Sequence, residues 1–426
     1  MNTDVIKMSI VENEKVLERK FKRENIIERE NAKKIEGMIS FDIGLIITGV
    51  RRCGKSILAY MFSKDKKAGY INFEDERLIL KSGELNKVLE AVYSLKGGVE
   101  YLILDEIQNI DGWERFVSRI IRDKKVIITG SNARLLSKEL ATFLTGRHID
   151  FVLFPFSFRE FLKYKKFTPN IYLTEHIAKV KSYLAEYLKI GGFPLVYKVG
   201  TSFLIQNYKD IVERDVVERY KIRYVRILKE LAKYLISNST GEISFNKLRK
   251  ILNVKSVHTL KNYVSYLENA YLIFLMERFS VKLKEQMLAP KKVYCIDNGL
   301  INSISFKLSQ NTGKLMENLV AVELKRRKHY FFPDREIYYW KDHQQREVDF
   351  VIKEKGKIEE LIQVCYSVDD VETRTRETKA LLKAADEFGS KNLFIITWDE
   401  EGLIKEKNKK IKLIPLWKWL LEIHQS

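Results

Sequence analysis

Residues 49–56 read Gly49-Val50-Arg51-Arg52-Cys53-Gly54-Lys55-Ser56, a Gly-x4-Gly-Lys-Ser octet. The glycines let the backbone curl so that its N–H groups face phosphate oxygens. Lys55 carries a positive charge to the β- and γ-phosphates of a nucleotide, and the Ser56 hydroxyl is a ligand for Mg²⁺. The positions expected to hold the nucleotide are Gly49, Arg52, Cys53, Gly54, Lys55, Ser56 and Ile57. Further on, Leu102-Ile103-Leu104-Asp105-Glu106 is an apolar run ending in two acids. Asp105 is expected to hold Mg²⁺ together with Ser56, and Glu106 to polarise an attacking water. Paired carboxylates at the end of a buried strand are costly unless something charged meets them. After the next apolar run, Asn132 is the polar side chain expected to contact the γ-phosphate or the water, with Ser131 as the alternative. Arg147 is the candidate arginine finger, on its own or a neighbouring nucleotide, with Arg134 behind it.

These groups need a scaffold that brings strand ends together. Short apolar runs at 43–48, 69–73, 100–104 and 125–129 alternate with helical stretches at 55–63, 84–95 and 113–122. That alternation predicts a parallel sheet with helices on both faces. Residues 5–38 read as one helix leading into it. Beyond Pro155 the pattern turns helical, at 157–165, 173–189 and 203–238, interrupted by Gly191-Gly192-Phe193-Pro194. A helix pair at 244–252 and 256–269, followed by strands at 271–277 and 292–296, has the outline of a winged helix. A last α/β region begins with a helix at 313–328 and continues through strands at 336–341, 347–353, 359–366 and 392–397, with a helix at 371–387. The expected fold is therefore α/β: a P-loop ATPase core over 1–155, a helical and winged-helix region over 156–312, and a separate α/β domain over 313–426.

The runs ITGVRRCGKS, YLILDEIQNIDGWE, IITGSNARLLSKEL and LTGRHIDFVLFPFSFREFL, with GGFP at 191–194 and RDVVERY at 214–220, carry a resemblance over most of the chain. They resemble the archaeal and bacterial AAA-type ATPases of the Arg-Arg-x-Gly-Lys group. In that group an AAA-like core precedes a C-terminal domain of unknown function with a restriction-endonuclease-like fold. The resemblance implies ATP hydrolysis, a core strand order of 5-1-4-3-2, and a PD-(D/E)xK-like site at Glu317, Asp349 and a carboxylate-x-lysine. Here the last element reads Gln363-Val364-Cys365. Gln363 is neutral and Cys365 is no ammonium, so the expectation is a degenerate site without nuclease activity.

The chain of 426 residues is 45% hydrophobic and 31% charged, which excludes disordered, collagen-like and disulfide-scaffold classes. Three scattered cysteines argue against a structural zinc site and fit a reducing, cytoplasmic setting. The longest apolar runs are too short to span a bilayer, so no membrane partner is expected. A net charge of +19 points to an anionic partner. Residues 151–312 carry most of it, with 27 Lys/Arg against 13 Asp/Glu, whereas 1–150 hold 27 against 23 and 313–426 hold 22 against 21. Lys250, Lys255, His258 and Lys261 on the helix pair are the DNA-contact candidates. Two functional readings stand: an Mg²⁺-dependent ATPase acting on DNA, with a homo-oligomer among its expected forms, or an ATP-dependent protein-interaction switch.

Overall fold

The computed structural model describes residues 1–133, 144, 146–305, 311–406 and 408–422. Its contacts divide the chain into two compact units, Met1–Phe154 with Asn269–Tyr271, and Pro155–Glu268 with Leu272–Ser426. Among the described residues no helix is long and apolar enough to cross a membrane.

The first unit is built on five parallel strands: β1 (Gly44–Thr48), β2 (Ala68–Asn72), β3 (Tyr101–Asp105), β4 (Lys125–Gly130) and β5 (His148–Val152). Their spatial order is β2-β3-β4-β1-β5, the 5-1-4-3-2 order read in reverse. β1 and β3 are buried along their whole length, as strands covered on both faces must be, and so read as unbroken apolar runs. Helices Leu85–Lys96 and Trp113–Ile120 contribute Val88, Val92, Trp113 and Val117 to this core.

Two elements differ from expectation here. β5 did not stand out in the sequence because His148 and Asp150 interrupt its apolar pattern and it lies at the sheet edge. The N-terminal helix is Thr3–Arg23, not 5–38; Ile6 and Ile10 dock on the core, and a second short helix, Ala32–Glu36, follows a non-helical stretch.

The second unit holds a three-stranded sheet in order β6-β8-β7, from β6 (Glu242–Ile243), β7 (Ile273–Met276) and β8 (Lys291–Cys295). Helices Val225–Ser237, Phe245–Ile251 and Val257–Asn269 accompany it. A six-stranded mixed sheet has order β13-β14-β12-β11-β10-β9, from β9 (Arg335–Lys341), β10 (Glu347–Glu354), β11 (Lys357–Val364), β12 (Asn392–Thr397), β13 (Gly402–Glu406) and β14 (Lys409–Pro415). Helices Thr312–Tyr330 and Val371–Phe388 belong to the same part of the chain.

The helix expected over 203–238 is broken. Ser202–Asp210 runs into a π-helical segment, Ile211–Glu218, and Val225–Ser237 begins afresh. The chain turns at Lys221, whose φ of 49° is left-handed, with neither glycine nor proline to mark it. Gly191-Gly192 is a close-packing point: a Cβ on Gly191 would meet Asp297 Oδ1 at 2.0 Å, and one on Gly192 would meet the Phe156 carbonyl at 2.4 Å.

Candidate nucleotide and metal site

β1 ends at Thr48 and the chain turns at once into the glycine loop. Gly49 has φ 142° and Gly54 φ 108°, both in the region that favours glycine. At Gly49 a side chain has no room, since a Cβ would lie 2.1 Å from the Leu153 carbonyl. Arg52 also takes a left-handed φ of 64°. Cys53 is buried, with its thiol directed at the Leu153 carbonyl at 3.3 Å, and burial pushes that thiol's pKa up. The loop feeds helix Lys55–Met61.

Lys55 is buried beneath the loop, where its Nζ donates to the carbonyls of Gly49 at 3.1 Å and Val50 at 3.2 Å and stands 3.9 Å from Glu106 Oε1. Ser56 Oγ donates to Asp105 Oδ1 at 3.0 Å. Parallel pairing of β3 with β4 sets Asp105 beside Thr129, whose hydroxyl also donates to Oδ1. The phenol of Tyr70, from β2, donates to Oδ2. Burial, reinforced by the neighbouring Asp105 charge, pushes the Tyr70 phenol well up, which keeps it a donor. The carboxylate is thus oriented by three hydroxyls from three elements, and Ser56 and Asp105 form a pair of hard oxygen donors suited to Mg²⁺.

Glu106 has a left-handed φ of 55°, which swings its side chain off the strand axis. Its backbone N–H donates to Thr129, and its Oε2 accepts from the Ser131 N–H at 3.2 Å, the Ser131 hydroxyl at 3.3 Å and the amide of Gln108. Ser131, the alternative to Asn132, thus sits on Glu106, and Asn132 is buried next to it. A carboxylate held in this way, with its second oxygen near Lys55, can orient a water beside the phosphate loop.

Arg147 lies elsewhere. Its carbonyl accepts from the Gly44 N–H at the start of β1, whereas the loop follows the end of β1. A five-residue strand separates the two by about 16 Å, so Arg147, an exposed side chain, does not serve the nucleotide of its own chain. Arg134 lies outside the described residues.

Several contributors had no signal in the sequence. Arg29, from the stretch between the first two helices, is buried and donates to the Cys53 carbonyl at 2.9 Å and the Phe154 carbonyl at 2.5 Å, bracing the loop. Tyr271 donates to or accepts from Thr48 Oγ1 at 2.8 Å, at the base of the loop. Both are remote from the motif in sequence.

In the second unit, Lys250, Lys255, His258 and Lys261 are all exposed. His258, Lys261 and Asn262 share one face of their helix by their i, i+3, i+4 spacing, and Lys261 also lies 5.8 Å from the Phe245 ring. The neighbouring basic helices are partly self-neutralised, through Arg226 with Glu230 at 2.8 Å and Lys229 with Glu213.

Glu317 and Asp349 come together as expected, but around an unforeseen Lys292 from β8. Gln363 Oε1 accepts from the Asp349 N–H at 3.2 Å while its amide donates to Glu377. Cys365 is buried, and burial pushes its thiol up to about 12, so it is no nucleophile near neutral pH.

An AAA-domain model matches residues 43–162. Two models of domains of unknown function follow, DUF8612 over 181–312 and DUF4143 over 312–419. The uncharacterized protein MJ1544 of Methanocaldococcus jannaschii is 40% identical over 397 residues, covering 88% of either chain. An uncharacterized protein of Haemophilus influenzae is 28% identical over 386 residues, covering 85% of this chain and 92% of its own. Among solved structures, the Walker-type ATPase PABY2304 of Pyrococcus abyssi aligns with TM-score 0.44 and 16% identity, over 66% of this chain and 97% of that one. The replication initiator DnaA bound to AMPPCP and single-stranded DNA aligns with TM-score 0.27 and 16% identity, over 56% and 86%.

Proposed function

The chain belongs to the family of AAA-type P-loop ATPases that carry a C-terminal DUF4143 domain, and from that premise we propose that it binds and hydrolyses ATP with Mg²⁺ and uses the cycle to act on DNA. The observation that carries the ATPase reading is the convergence of Lys55, Ser56, Asp105 and Glu106 on one strand edge. Ser56 and Asp105 would hold Mg²⁺, which would supply positive charge against the phosphates. Lys55 leaves the Gly49 and Val50 carbonyls for phosphate oxygens. Glu106, fixed by Ser131 and Gln108, orients water and receives its proton. Arg147 acts, in this reading, only on the nucleotide of a neighbouring copy.

The DNA part rests on charge and topology. Helix Val225–Ser237, β6, the helix pair and the β7–β8 hairpin follow one another in the order of a winged helix. His258 and Lys261 are exposed on the second helix of the pair, the one suited to a major groove, and exposed Lys255 lies just before it. The six-stranded sheet with Glu317 and Asp349 is read as a degenerate nuclease-like fold. Its near-balanced charge agrees, because phosphodiester binding wants positive potential.

One observation favours the protein-interaction switch instead. Between β7 and β8 the hairpin exposes Val281, Leu283, Met287 and Leu288, each at least 68% accessible. Clustered exposed apolar side chains are commoner on protein-docking surfaces than on DNA-binding ones.

The deciding experiment is ATP turnover with Mg²⁺, with and without DNA, alongside DNA binding by fluorescence anisotropy at several salt concentrations. Lys55→Ala and Glu106→Gln are expected to abolish turnover; unchanged turnover in both sinks the site assignment. Binding that weakens with salt and is lost on neutralising Lys250, Lys255 and Lys261 supports the DNA reading. No binding at low salt supports the switch.

A further inference from the structure

Lys292 is the central charge of a buried cluster in the second unit. β8 pairs antiparallel with both β6 and β7, and Lys292 stands opposite Glu242 on one side and Met276 on the other. Its side chain is only 3% exposed. Nζ lies 2.9 Å from Glu317 Oε1, 2.5 Å from Glu347 Oε1 and 3.1 Å from Asp349 Oδ1. Glu317 comes from helix Thr312–Tyr330, and Glu347 and Asp349 from β10.

An ammonium has three N–H bonds; two are donated to Glu317 and Asp349, and the Glu347 carboxylate stands against the same charge as an ion pair. Three of the carboxylate oxygens have a further partner. Asp349 Oδ2 accepts from the Val364 N–H at 2.9 Å, Glu317 Oε1 also accepts from the Tyr294 hydroxyl at 2.9 Å, and Glu347 Oε2 faces Lys341 at 3.4 Å. The Glu317 and Asp349 oxygens, at 2.9 and 3.1 Å, stand at ammonium distances, wider than the roughly 2.0–2.6 Å of Mg²⁺ or Ca²⁺ ligands. Among the described residues no group of three or more His, Cys, Asp or Glu is set to hold a metal ion. Burial alone would strip the Lys292 proton, but the surrounding acids hold the ammonium charged.

We propose that Lys292 is the resident cation of this carboxylate site: an ammonium tethered on β8 fills the centre of Glu317, Glu347 and Asp349, excludes divalent metal from it, and fastens β8 to β10 and helix Thr312–Tyr330. A diffusible cation would be subject to exchange and to competition, whereas a cation on the backbone is present at unit occupancy. The three acids are therefore kept for a structural junction. The inference rests on this cluster alone and is independent of the ATPase and DNA readings.

The test is Mn²⁺ binding to the full-length chain without nucleotide, read by loss of the free-ion electron paramagnetic resonance signal. Wild type and Asp349→Asn are expected to give the same titration. Lys292→Met is expected to gain a Mn²⁺ site that disappears in Lys292→Met/Asp349→Asn. A wild-type site lost on Asp349→Asn overturns the proposal, as does a folded Lys292→Met protein that takes up no Mn²⁺. Should Lys292→Met not fold, the wild-type comparison with Asp349→Asn decides alone.

Discussion

The Ser56 hydroxyl donates to the Asp105 carboxylate at 3.0 Å across 49 residues of chain. It joins the first turn of the helix after the glycine loop to the tip of β3. The pair is in place because β3 and β1 flank β4, so their ends open on one edge of the sheet. Ser56→Ala is expected to raise the Mg²⁺ concentration needed for half-maximal ATP turnover while sparing nucleotide binding measured without metal. Equal effects in both assays would remove Ser56 from the metal.

Glu106 is held through Ser131, Thr129 and Gln108. Glu106→Gln keeps these positions filled while removing the base. Turnover is expected to fall by about 10²–10⁴-fold, with affinity for a fluorescent ATP analogue unchanged. A matching loss of affinity would mean that Glu106 binds nucleotide instead of activating water.

Glu323 is fully buried among Arg159 at 2.7 Å, Arg327 at 3.0 Å and Arg326. Burial opposes its charge, but the three guanidinium groups hold its carboxyl below the usual range. Glu323→Gln leaves those cations uncompensated and is expected to cost about 3–5 kcal/mol. Chemical denaturation reads this directly, and a change below about 1 kcal/mol would refute it.

Burial raises Asp297 to about 6 from an ordinary 3.8. Between those values the folded chain keeps a proton that the unfolded chain has released. Its contribution to stability is therefore full below about pH 4 and is lost as pH rises to about 6, a change of about 3 kcal/mol. Denaturation at pH 4, 5, 6 and 7 should show this decline in wild type and a flatter one in Asp297→Asn. Parallel profiles would count against it.

Gly192→Ala places a Cβ 2.4 Å from the Phe156 carbonyl, which itself accepts from the Tyr187 phenol at 2.5 Å. Backbone has to shift, at a cost of about 1–3 kcal/mol or more. Gly200→Ala, with open space around it but a φ of 84°, is the control for strain without collision. Similar melting temperatures for the two variants would show that the close approach is unimportant.

The chain of residues from Gly49 to Ser56, the acids at the end of β3 and the parallel strands were legible because each depends on local physics. A glycine at positive φ, a wholly apolar buried strand and a polar strand end leave marks within a few residues. Arg147 kept its place in the sequence pattern but not in the site, because its strand runs from the far edge of the sheet. β5 and the turn at Lys221 left weak marks, since an edge strand tolerates charge and a left-handed lysine looks like any other. Lys292 left none. It is 25 residues from Glu317 and 57 from Asp349, and an ammonium is drawn among three acids only where packing excludes water and pairs the strands that carry them. Sequence by itself determined the nucleotide loop and its acids; tertiary structure decided which distant charges meet, because burial makes an uncompensated charge costly and leaves the fold to supply its partner.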